Sequence, residues 1–351
     1  MSATEKIIIR RYSSDDEVRW NDYVDTHPEG TFFHRIPWKR TVEQSFGHKS
    51  HYLIAENIEG GQSRFIGLFP IFRLKSFLFG DYLVSVPFAE LGGPLADDET
   101  TLTLLVEHGE KLSRELNADY LELRSRKALP GFKVKSLYYN FSREIYPELE
   151  ANMLAIPRKS RAAVRHGIKS GLIAEYGNHL LDQFYDILAR NYQDLGTPVF
   201  SRRFFRNLLD NHGESAQIMV VRTKEMEPAA TILSFFYRDR VIPYYAGSLN
   251  EYRKLCPNDF KYWELMKYGC EKGYRVFNFG RSKEGAGSFD FKRHWGFEPE
   301  PLAYQYYLNG VDDLPNLSPT NPSYARKIEM WKKLPFFATK IIGPPVARYL
   351  A

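Results

Sequence analysis

The sequence predicts a duplicated α+β fold, in which two tandem domains each hold a mixed β-sheet flanked by helices. The main observation is a repeated order of elements: helices, three strand patterns, one long helix and a last strand ending in Arg-Ser. These dipeptides are Arg124-Ser125 and Arg281-Ser282, and they lie 157 residues apart in a chain of 351. Because 157 residues is an ordinary domain length, the repeat indicates a duplicated domain.

In the first half, Ser14 to Glu17 has the pattern of a capping box, which predicts a helix start. Pro37 suits the first turn of a second helix, which we expect to end at Gly47. Strand patterns follow, and an apolar periodicity over 105–116 predicts a helix before the strand YLELRS.

The second half opens with a basic helix predicted from about Arg158 to Lys169. Three strand patterns, AQIMVVRT, AATILSFFYR and VIPYYAGS, come next. Asn258 is predicted to cap a helix that Gly273 closes before the strand YRVFNFGRS.

The domain ranges that follow from this order are 1–150 and 151–310, with a linker and basic amphipathic tail over 311–351. The composition, 43% hydrophobic, 15% aromatic and 26% charged, is that of a folded protein. No apolar run is long enough to cross a bilayer, and two cysteines are too few for a disulfide framework. We therefore expect a cytoplasmic protein.

The net charge of +5 is concentrated in the tail. Residues 321–351 hold six basic side chains and one acid, so the rest of the chain is neutral. A broad basic surface for duplex DNA is not supported. Apolar side chains lie among the tail charges, as in segments that rest on anionic membranes. Two alternatives stay open for the tail: peripheral contact with the inner face of the membrane, or packing on the protein.

Several catalytic signatures are absent from the sequence. It has no phosphate-binding P-loop, no G-x-S-x-G elbow and no G-x-G-x-x-G after a strand. The pair His48 and His51 is interpreted as ordinary histidines rather than as a metal site. ATP hydrolysis, serine hydrolysis and zinc catalysis are therefore not expected, and neither is a tightly bound cofactor.

A first cluster of candidate binding residues lies on the predicted basic helix. Lys159, Arg161 and Arg165 stand in a stretch without acids, and residues four apart share one helix face, where like charges repel. An anionic partner would offset that repulsion. The alternative is a solvated face that is paired with acids elsewhere in the fold.

A second cluster follows the last strand of the second half, in FNFGRSKEGAGSFDFKRHWG. A strand that ends in Gly-Arg-Ser and enters a glycine-rich turn presents amides and cations to an anion or a developing oxyanion. Arg281 and Lys292 are the predicted catalytic cations, with Asn278 and Ser282 as substrate-binding neighbours. The alternative is a long loop between the last two strands.

A third candidate is PFAELGGPLAD, which places Glu90 beside a double glycine. Glu90 is a candidate base, although the segment could also be only a tight turn. The corresponding segment of the second half, VIPYYAGSLN, offers Tyr245 and Ser248 as substrate-binding residues.

The sequence resembles the FemAB-like branch of the GNAT-related acyltransferases, particularly the FemAB proteins associated with exosortase (PEP-CTERM) and exopolysaccharide loci. The resemblance rests on the shared order of seven segments that span nearly the whole chain: THPEGTFFHRIPWKR, FAELGGPLAD, IPRKSRAAVRHGIKSGL, LGTPVFSRRFF, YYAGSLNEYRKLCPNDFKYW, FNFGRSKEGAGSFDFKRHWG and WKKLPFFATKIIGP. It implies two tandem GNAT-like domains.

The resemblance also implies a reaction and its site residues. In the peptidoglycan-bridge members, an aminoacyl group passes from aminoacyl-tRNA to an amine of a precursor peptide, and cations hold the substrate diphosphate. Carried over to this chain, Lys292 would steady the carbonyl oxygen, and the substrate-binding residues would be Trp38, Arg40, Lys159, Arg161, Arg165 and either Arg202 or Arg203.

The chain departs from the family in two places. The coiled-coil arm of some members is missing, which bears on tRNA binding. The acetyl-CoA loop [QR]-x-x-G-x-[GA] is not matched, because the segment from Arg281 to Gly287 is one residue too long.

Three functions follow as hypotheses. The first is an acyl- or aminoacyltransferase that acts on an amine or hydroxyl of a cell-envelope or exopolysaccharide precursor in a basic pocket between the two halves, with aminoacyl-tRNA or acyl-CoA as donor. The second is a CoA-dependent N- or O-acyltransferase. The third is a non-catalytic scaffold of polysaccharide assembly.

Overall fold

The computed structural model describes residues 6–77, 79–311, 314 and 322–350. The chain forms two compact units. The first consists of Met1–Ser136, Leu302–Asn316 and Tyr349–Ala351, and the second of Leu137–Pro301 and Leu317–Arg348.

In the part of the chain that the structure describes, the first unit holds two sheets and three α-helices. Its helices are α1 (Glu17–Thr26), α2 (Ile36–Phe46) and α3 (Glu99–Glu115). Its strands are β1 (Lys6–Arg11), β2 (Lys49–Ser50), β3 (Leu53–Glu59), β4 (Gln62–Phe69), β5 (Phe72–Ser76), β6 (Gly80–Val84), β7 (Leu95–Ala96), β8 (Tyr120–Ser125), β9 (Lys133–Lys135) and, from much later in the chain, β17 (Ala303–Leu308). The sheet orders are β1-β3-β4-β7 and β2-β5-β6-β8-β17-β9.

The second unit holds one seven-stranded sheet covered by helices. Its strands are β10 (Tyr138–Glu144), β11 (Ile173–Tyr176), β12 (Ala216–Arg222), β13 (Pro228–Tyr237), β14 (Arg240–Ser248), β15 (Val276–Lys283) and β16 (Pro299–Pro301), in the order β11-β12-β13-β14-β15-β10-β16. Its helices are α4 (Leu149–Ala155), α5 (Arg158–Lys169), α6 (Leu181–Leu195), α7 (Arg202–His212), α8 (Pro257–Glu271), α9 (Gly287–His294), α10 (Pro322–Lys332) and α11 (Phe336–Ala347).

The two units repeat one topology. In the first, β6 pairs in parallel with β8 after the crossover through α3, and in the second, β14 pairs in parallel with β15 after α8. An antiparallel strand completes each arrangement, β17 beside β8 and β10 beside β15. The predicted duplication and the α+β class with mixed sheets are therefore present.

The compact units divide the chain elsewhere than at the predicted positions 150 and 310. β10 follows the first repeat but lies in the second sheet, whereas β17 follows the second repeat and lies in the first unit. The last strand of each repeat has thus changed units. Local periodicity identifies a strand but does not specify which sheet it joins, so the sequence could not reveal this exchange.

The structure confirms some of the predicted helix ends and corrects others. The basic helix α5 has the predicted bounds, and α2 ends at Gly47, which has a left-handed φ of 69°. The capping box lies one residue earlier than expected, because Asp16 accepts from the amide and hydroxyl of Ser13 at 2.8 and 3.0 Å. Asn258 is not the cap of α8: Pro257 occupies the first turn and Cys256, at φ 55°, precedes it.

The tail helices pack on α6 within the second unit. Gln193 Nε2 donates to the Leu334 carbonyl at 2.6 Å, and Lys340 Nζ donates to Asp186 at the same distance. This part of the tail therefore packs on the protein.

Candidate active site

The second sheet opens between β14 and β15. The described ladder joins these parallel strands only at Arg240–Val276 and Val241–Phe277, near their amino ends. Further along, β14 pairs with β13 and β15 pairs with β10. Tyr244 forms a bulge in β14, where the register shifts. Beyond the last shared pair, backbone and side chains of both strands border an opening at their carboxyl ends.

Helices cover the two faces of this sheet near the opening. Along β13, Ala230 and Ile232 pack in one core cluster with α8 residues such as Met266. On the opposite face, Phe235 contacts the His212 ring of α7, and the α-carbon of Gly247 lies against α6. The alternation follows from the two-residue period of a strand. Side chains from α6 and α8 can therefore reach the opening from either face.

Three tyrosines from three elements meet near this opening. Tyr245 on β14 is buried, and its hydroxyl has no hydrogen-bond partner among the described residues. Burial raises the pKa of Tyr245, Tyr244 and Tyr192 raise it further, and Arg281 opposes them. Burial also raises the pKa of Tyr262 on α8, with smaller contributions from Asp259 and Tyr192. Tyr192 on α6 is thus near both other hydroxyls.

A buried lysine lies beside the same strand. Lys261 on α8 is 1% exposed, and its Nζ donates to the Gly247 carbonyl of β14 at 3.3 Å. Burial lowers the pKa of Lys261 to about 7, and the nearby carboxylate of Asp259 opposes this shift. Trp295 Nε1 donates to Asp259 at 3.0 Å and keeps that carboxylate oriented. At neutral pH the lysine is therefore divided between its two protonation states.

Sequence reasoning missed Tyr192, Lys261 and Tyr262. Lys261 had a usable signal: it lies four residues before Leu265, so both belong to the buried stripe of α8. A lysine on such a stripe must be paired or neutralised, because burying its charge alone is costly.

Arg281 and Lys292, the two predicted catalytic cations, lie together. Lys292 on α9 is 8% exposed, and its Nζ donates to the backbone carbonyls of Gly280 and Arg281, both at 2.9 Å. The Arg281 guanidinium lies 4.8 Å from the centroid of the Tyr138 ring. Lys292 therefore holds the backbone of β15 beside Arg281.

The remaining predicted residues of this strand also fix its backbone. Asn278 Oδ1 accepts from the amide of Gly280, which has a φ of 67°, at 3.0 Å. Ser282 Oγ donates to Ser288 Oγ at 3.1 Å and so links β15 to α9. Ser248, at the end of β14, accepts from Asn191 Nδ2 through its backbone carbonyl at 3.1 Å.

Comparisons with known proteins agree with this geometry. Residues 155–293 match the acetyltransferase (GNAT) domain family. The matched GNAT domain includes β14, α8, β15 and most of α9. A search of curated proteins found no match.

Three solved structures have a similar fold over most of the chain. FemX has a TM-score of 0.66 at 14% identity and covers 92% of this chain and 100% of its own. A tandem GNAT protein from the clavulanic acid biosynthesis pathway has a TM-score of 0.58 at 12% identity and covers 88% and 100%. The C-terminal domain of a protein assigned as a lysylphosphatidylglycerol synthetase, from Agrobacterium fabrum, has a TM-score of 0.54 at 16% identity and covers 85% and 92%.

The GNAT match and these structures confirm the predicted fold class. The family match over residues 155–293 supports the prediction that the protein is an acyltransferase. No helix in the described part of the chain is long and apolar enough to cross a membrane.

The other predicted cationic residues of the segment that matches the GNAT family lie on α5 and α7. α5 packs its inner face through Ser160, whose hydroxyl donates to the His294 carbonyl at 2.8 Å, so Lys159 and Arg165 are exposed. Arg161 donates to the Leu154 carbonyl at 3.1 Å. On α7, Arg202 forms an ion pair with Asp182, and Arg203 is exposed.

The other predicted residues belong to the first unit. Trp38 is fully buried, and its Nε1 donates to the Pro87 carbonyl at 3.2 Å, which gives it a packing role. Arg40 donates from Nη2 to both carboxylate oxygens of Glu17, at 2.9 and 2.8 Å. Arg40 also lines a cavity of about 390 Å³ together with Tyr52, whose buried hydroxyl has no hydrogen-bond partner among the described residues. The other lining residues are Arg11, Tyr12, Ser13, Ser14, Glu17, Ile36, Lys39, Glu43, Ser50 and His51.

Glu90 is 4% exposed in the first unit, in a segment held by Arg124. Arg124 Nη1 donates to the Ala89 carbonyl at 2.8 Å, and its carbonyl accepts from the amides of Gly92 and Gly93 at 3.0 and 2.9 Å. Arg124 is the counterpart of Arg281 in the duplication. In the first unit this arginine fixes a loop, and the backbone of Glu90 accepts from Tyr304 Oη at 2.8 Å.

Proposed function

We propose that the protein transfers an acyl or aminoacyl group from an activated ester to an amine or hydroxyl of a cell-envelope precursor, of the peptidoglycan or exopolysaccharide type. The observation that carries this proposal is the opening between β14 and β15 in the segment that matches the GNAT family. Arg281 lies there near the buried hydroxyl of Tyr245, which has no hydrogen-bond partner among the described residues. FemX and the protein assigned as a lysylphosphatidylglycerol synthetase, among the similar structures, favour an aminoacyl group.

The reaction needs little from the protein beyond positioning and charge. The acceptor nitrogen or oxygen attacks the ester carbonyl, the carbonyl oxygen becomes an oxyanion, and the alcohol or thiol of the donor leaves. Arg281 supplies positive charge to the oxyanion, and the hydroxyl of Tyr245 supplies a hydrogen-bond donor. Lys292 acts as a positioning residue in this account, because its ammonium is hydrogen-bonded to the strand that carries Arg281.

The proton that the acceptor loses passes to a base. We propose solvent as that base, because Glu90 belongs to the first unit and is buried there. The exposed cations Lys159, Arg165 and Arg203 would hold the anionic part of the substrate.

A second candidate function is CoA-dependent N- or O-acyl transfer. The specific observation in its favour is the match of residues 155–293 to a family described as acetyltransferases. The glycine-rich segment gives it no support of its own, because the segment from Arg281 to Gly287 is one residue longer than the acetyl-CoA loop pattern.

Calorimetric titration of the full chain separates the two functions. Acetyl-CoA and a pool of aminoacyl-tRNA are titrated separately, with uncharged tRNA and desacetyl CoA as matched controls. Saturable binding of aminoacyl-tRNA above uncharged tRNA supports aminoacyl transfer, and saturable binding of acetyl-CoA supports the second candidate. Failure of both donors to bind would overturn both proposals.

A further inference from the structure

The last helix of the chain presents an apolar face to solvent although its opposite face is docked. Thr339, Gly343 and Ala347 recur every four residues on α11 and are buried. Phe337 and Ile341 share another face of the helix, and each is 68% exposed, while Ile342 beside them is 46% exposed. Surface patches of large apolar side chains are uncommon on soluble proteins without a partner.

This exposure does not come from a detached helix. Lys340 on α11 reaches Asp186 of α6 at 2.6 Å, and the Arg190 guanidinium of α6 lies 4.6 Å from the centroid of the Phe336 ring. The preceding helix approaches α6 closely as well, because a Cβ on Gly196 would lie 2.4 Å from Ile328 Cγ2. The face that carries Phe337 and Ile341 is therefore held outward by contacts on the other side of the helix.

The charge of the chain segment that holds this helix is strongly one-sided. Residues 321–351 carry the entire net charge of +5, and Arg326 and Lys333 on the preceding segment are exposed. Basic side chains around a row of exposed aromatic and aliphatic residues are complementary to an anionic bilayer surface, where the rings enter the interface and the cations contact headgroup phosphates. A protein partner would need a matching acidic surface around an apolar groove.

We propose that α11 rests on an anionic lipid surface through Phe337, Ile341 and Ile342, with cations of 326–333 at the headgroups. The helix lies along the surface and does not cross the bilayer, because its 12 residues are too few to span one. This surface does not depend on the acyl-transfer assignment, since none of these residues belongs to the opening between β14 and β15.

Vesicle co-sedimentation of the full-length protein tests the proposal. One set of vesicles contains equal parts of phosphatidylglycerol and phosphatidylcholine, and the other contains phosphatidylcholine alone. We expect the protein to pellet with the first set, and binding to fall at least tenfold in the double variant Phe337→Ser, Ile341→Ser. The matched control is Val18→Ser, an apolar residue that is 70% exposed on α1 and should leave binding unchanged.

Charge reversal separates the electrostatic contribution to vesicle binding from the apolar contribution. Arg326→Glu with Lys333→Glu should weaken binding to the anionic vesicles, whereas Lys111→Glu, a reversal at an exposed lysine of α3, should not. Because all these side chains point to solvent, circular dichroism should show an unchanged fold. The variant Phe337→Trp gives a second readout, a blue shift of its fluorescence when anionic vesicles are added.

Three results would overturn the proposal. They are equal pelleting of the Phe337→Ser, Ile341→Ser variant and the unchanged protein, equal binding to neutral and anionic vesicles, and self-association in solution that the same double variant abolishes. A lack of fluorescence shift in Phe337→Trp would contradict it independently. Acyl transfer measured without vesicles should be the same in all variants, so its loss would concern the proposed function instead.

Discussion

Lys292 donates a hydrogen bond to the backbone carbonyl of Arg281 at 2.9 Å, and a second bond of equal length joins it to Gly280. This pair connects α9 to β15 at the place where β15 borders the opening of the GNAT domain. A buried ammonium with two carbonyl acceptors fixes the backbone of β15 and also supplies positive charge.

Lys292→Met should therefore change stability and rate together. Two carbonyls lose their donor, which should lower the free energy of unfolding by about 2 kcal/mol. Displacement of Arg281 should lower the transfer rate by roughly 100-fold if charge at this strand stabilises the oxyanion. Urea unfolding and the transfer rate measure the two effects. Arg293→Met, at the exposed next position, is the control, and an unchanged rate in Lys292→Met would remove the residue from the mechanism.

Tyr245→Phe removes a buried hydroxyl that has no partner among the described residues. Since an unsatisfied buried group costs about 1–3 kcal/mol, we expect unfolding stability to stay equal or to rise. The transfer rate should fall, because the hydroxyl is kept for a substrate atom. The control is Tyr176→Phe: its hydroxyl donates to the Glu264 carbonyl at 3.1 Å, so this variant should lose stability. Lower stability with full activity in Tyr245→Phe would contradict the assignment.

Lys261 should make stability depend on pH. Its pKa is lowered from 10.5 to about 7 in the folded protein, so between these values the unfolded chain binds more protons than the folded one. Stability from this group therefore increases as pH rises from about 7 towards 10.5, and its full burial cost applies below pH 7. Relative to Lys261→Met, the unchanged protein should gain stability between pH 7 and 9.

Urea unfolding at several pH values measures that difference. Lys267→Met, at a partly exposed lysine of the same helix, should show no such slope. A constant difference between Lys261→Met and the unchanged protein across this pH range would show that Lys261 is not buried with a lowered pKa.

Gly93→Ala tests the loop that holds Glu90. A Cβ at residue 93 would lie 2.2 Å from Ser125 Oγ and 3.1 Å from the Arg124 carbonyl. The loop must shift, and overpacking of this kind costs about 1–3 kcal/mol. Gly287→Ala is the matched control, since nothing lies within 4 Å of its Cβ position. Equal melting temperatures for the two variants would contradict the described close approach.

The sequence predicted the parts of this protein that depend on local pattern and repetition. The 157-residue offset relates Arg124 of β8 to Arg281 of β15 as equivalent positions of the repeat. The bounds of α5 follow from its run of helix-forming and basic residues. The proximity of Arg281 and Lys292 could be foreseen because only one turn separates their elements. The same pattern did not identify the start of α8, which begins at Pro257 after a left-handed Cys256, so that Asn258 lies inside the helix.

What the sequence could not predict depends on contacts between distant segments. β10 and β17 are ordinary strands in the sequence, and their exchange between units depends on sheet edges formed elsewhere in the chain. Tyr192, Tyr245 and Tyr262 come from three elements, and no spacing rule relates them. The role of Trp38 as a buried packing residue is likewise set by its distant partner, the Pro87 carbonyl.

The most direct test of acyl transfer in the GNAT domain uses hydroxylamine as a small acceptor in place of the natural one. Hydroxamate formation is measured with acetyl-CoA and with aminoacyl-tRNA, for the unchanged protein, Arg281→Ala and Arg293→Met. We predict protein-dependent hydroxamate from one donor, retained in Arg293→Met and reduced about 100-fold in Arg281→Ala. No protein-dependent product from either donor, or an equal rate in Arg281→Ala, would contradict the account.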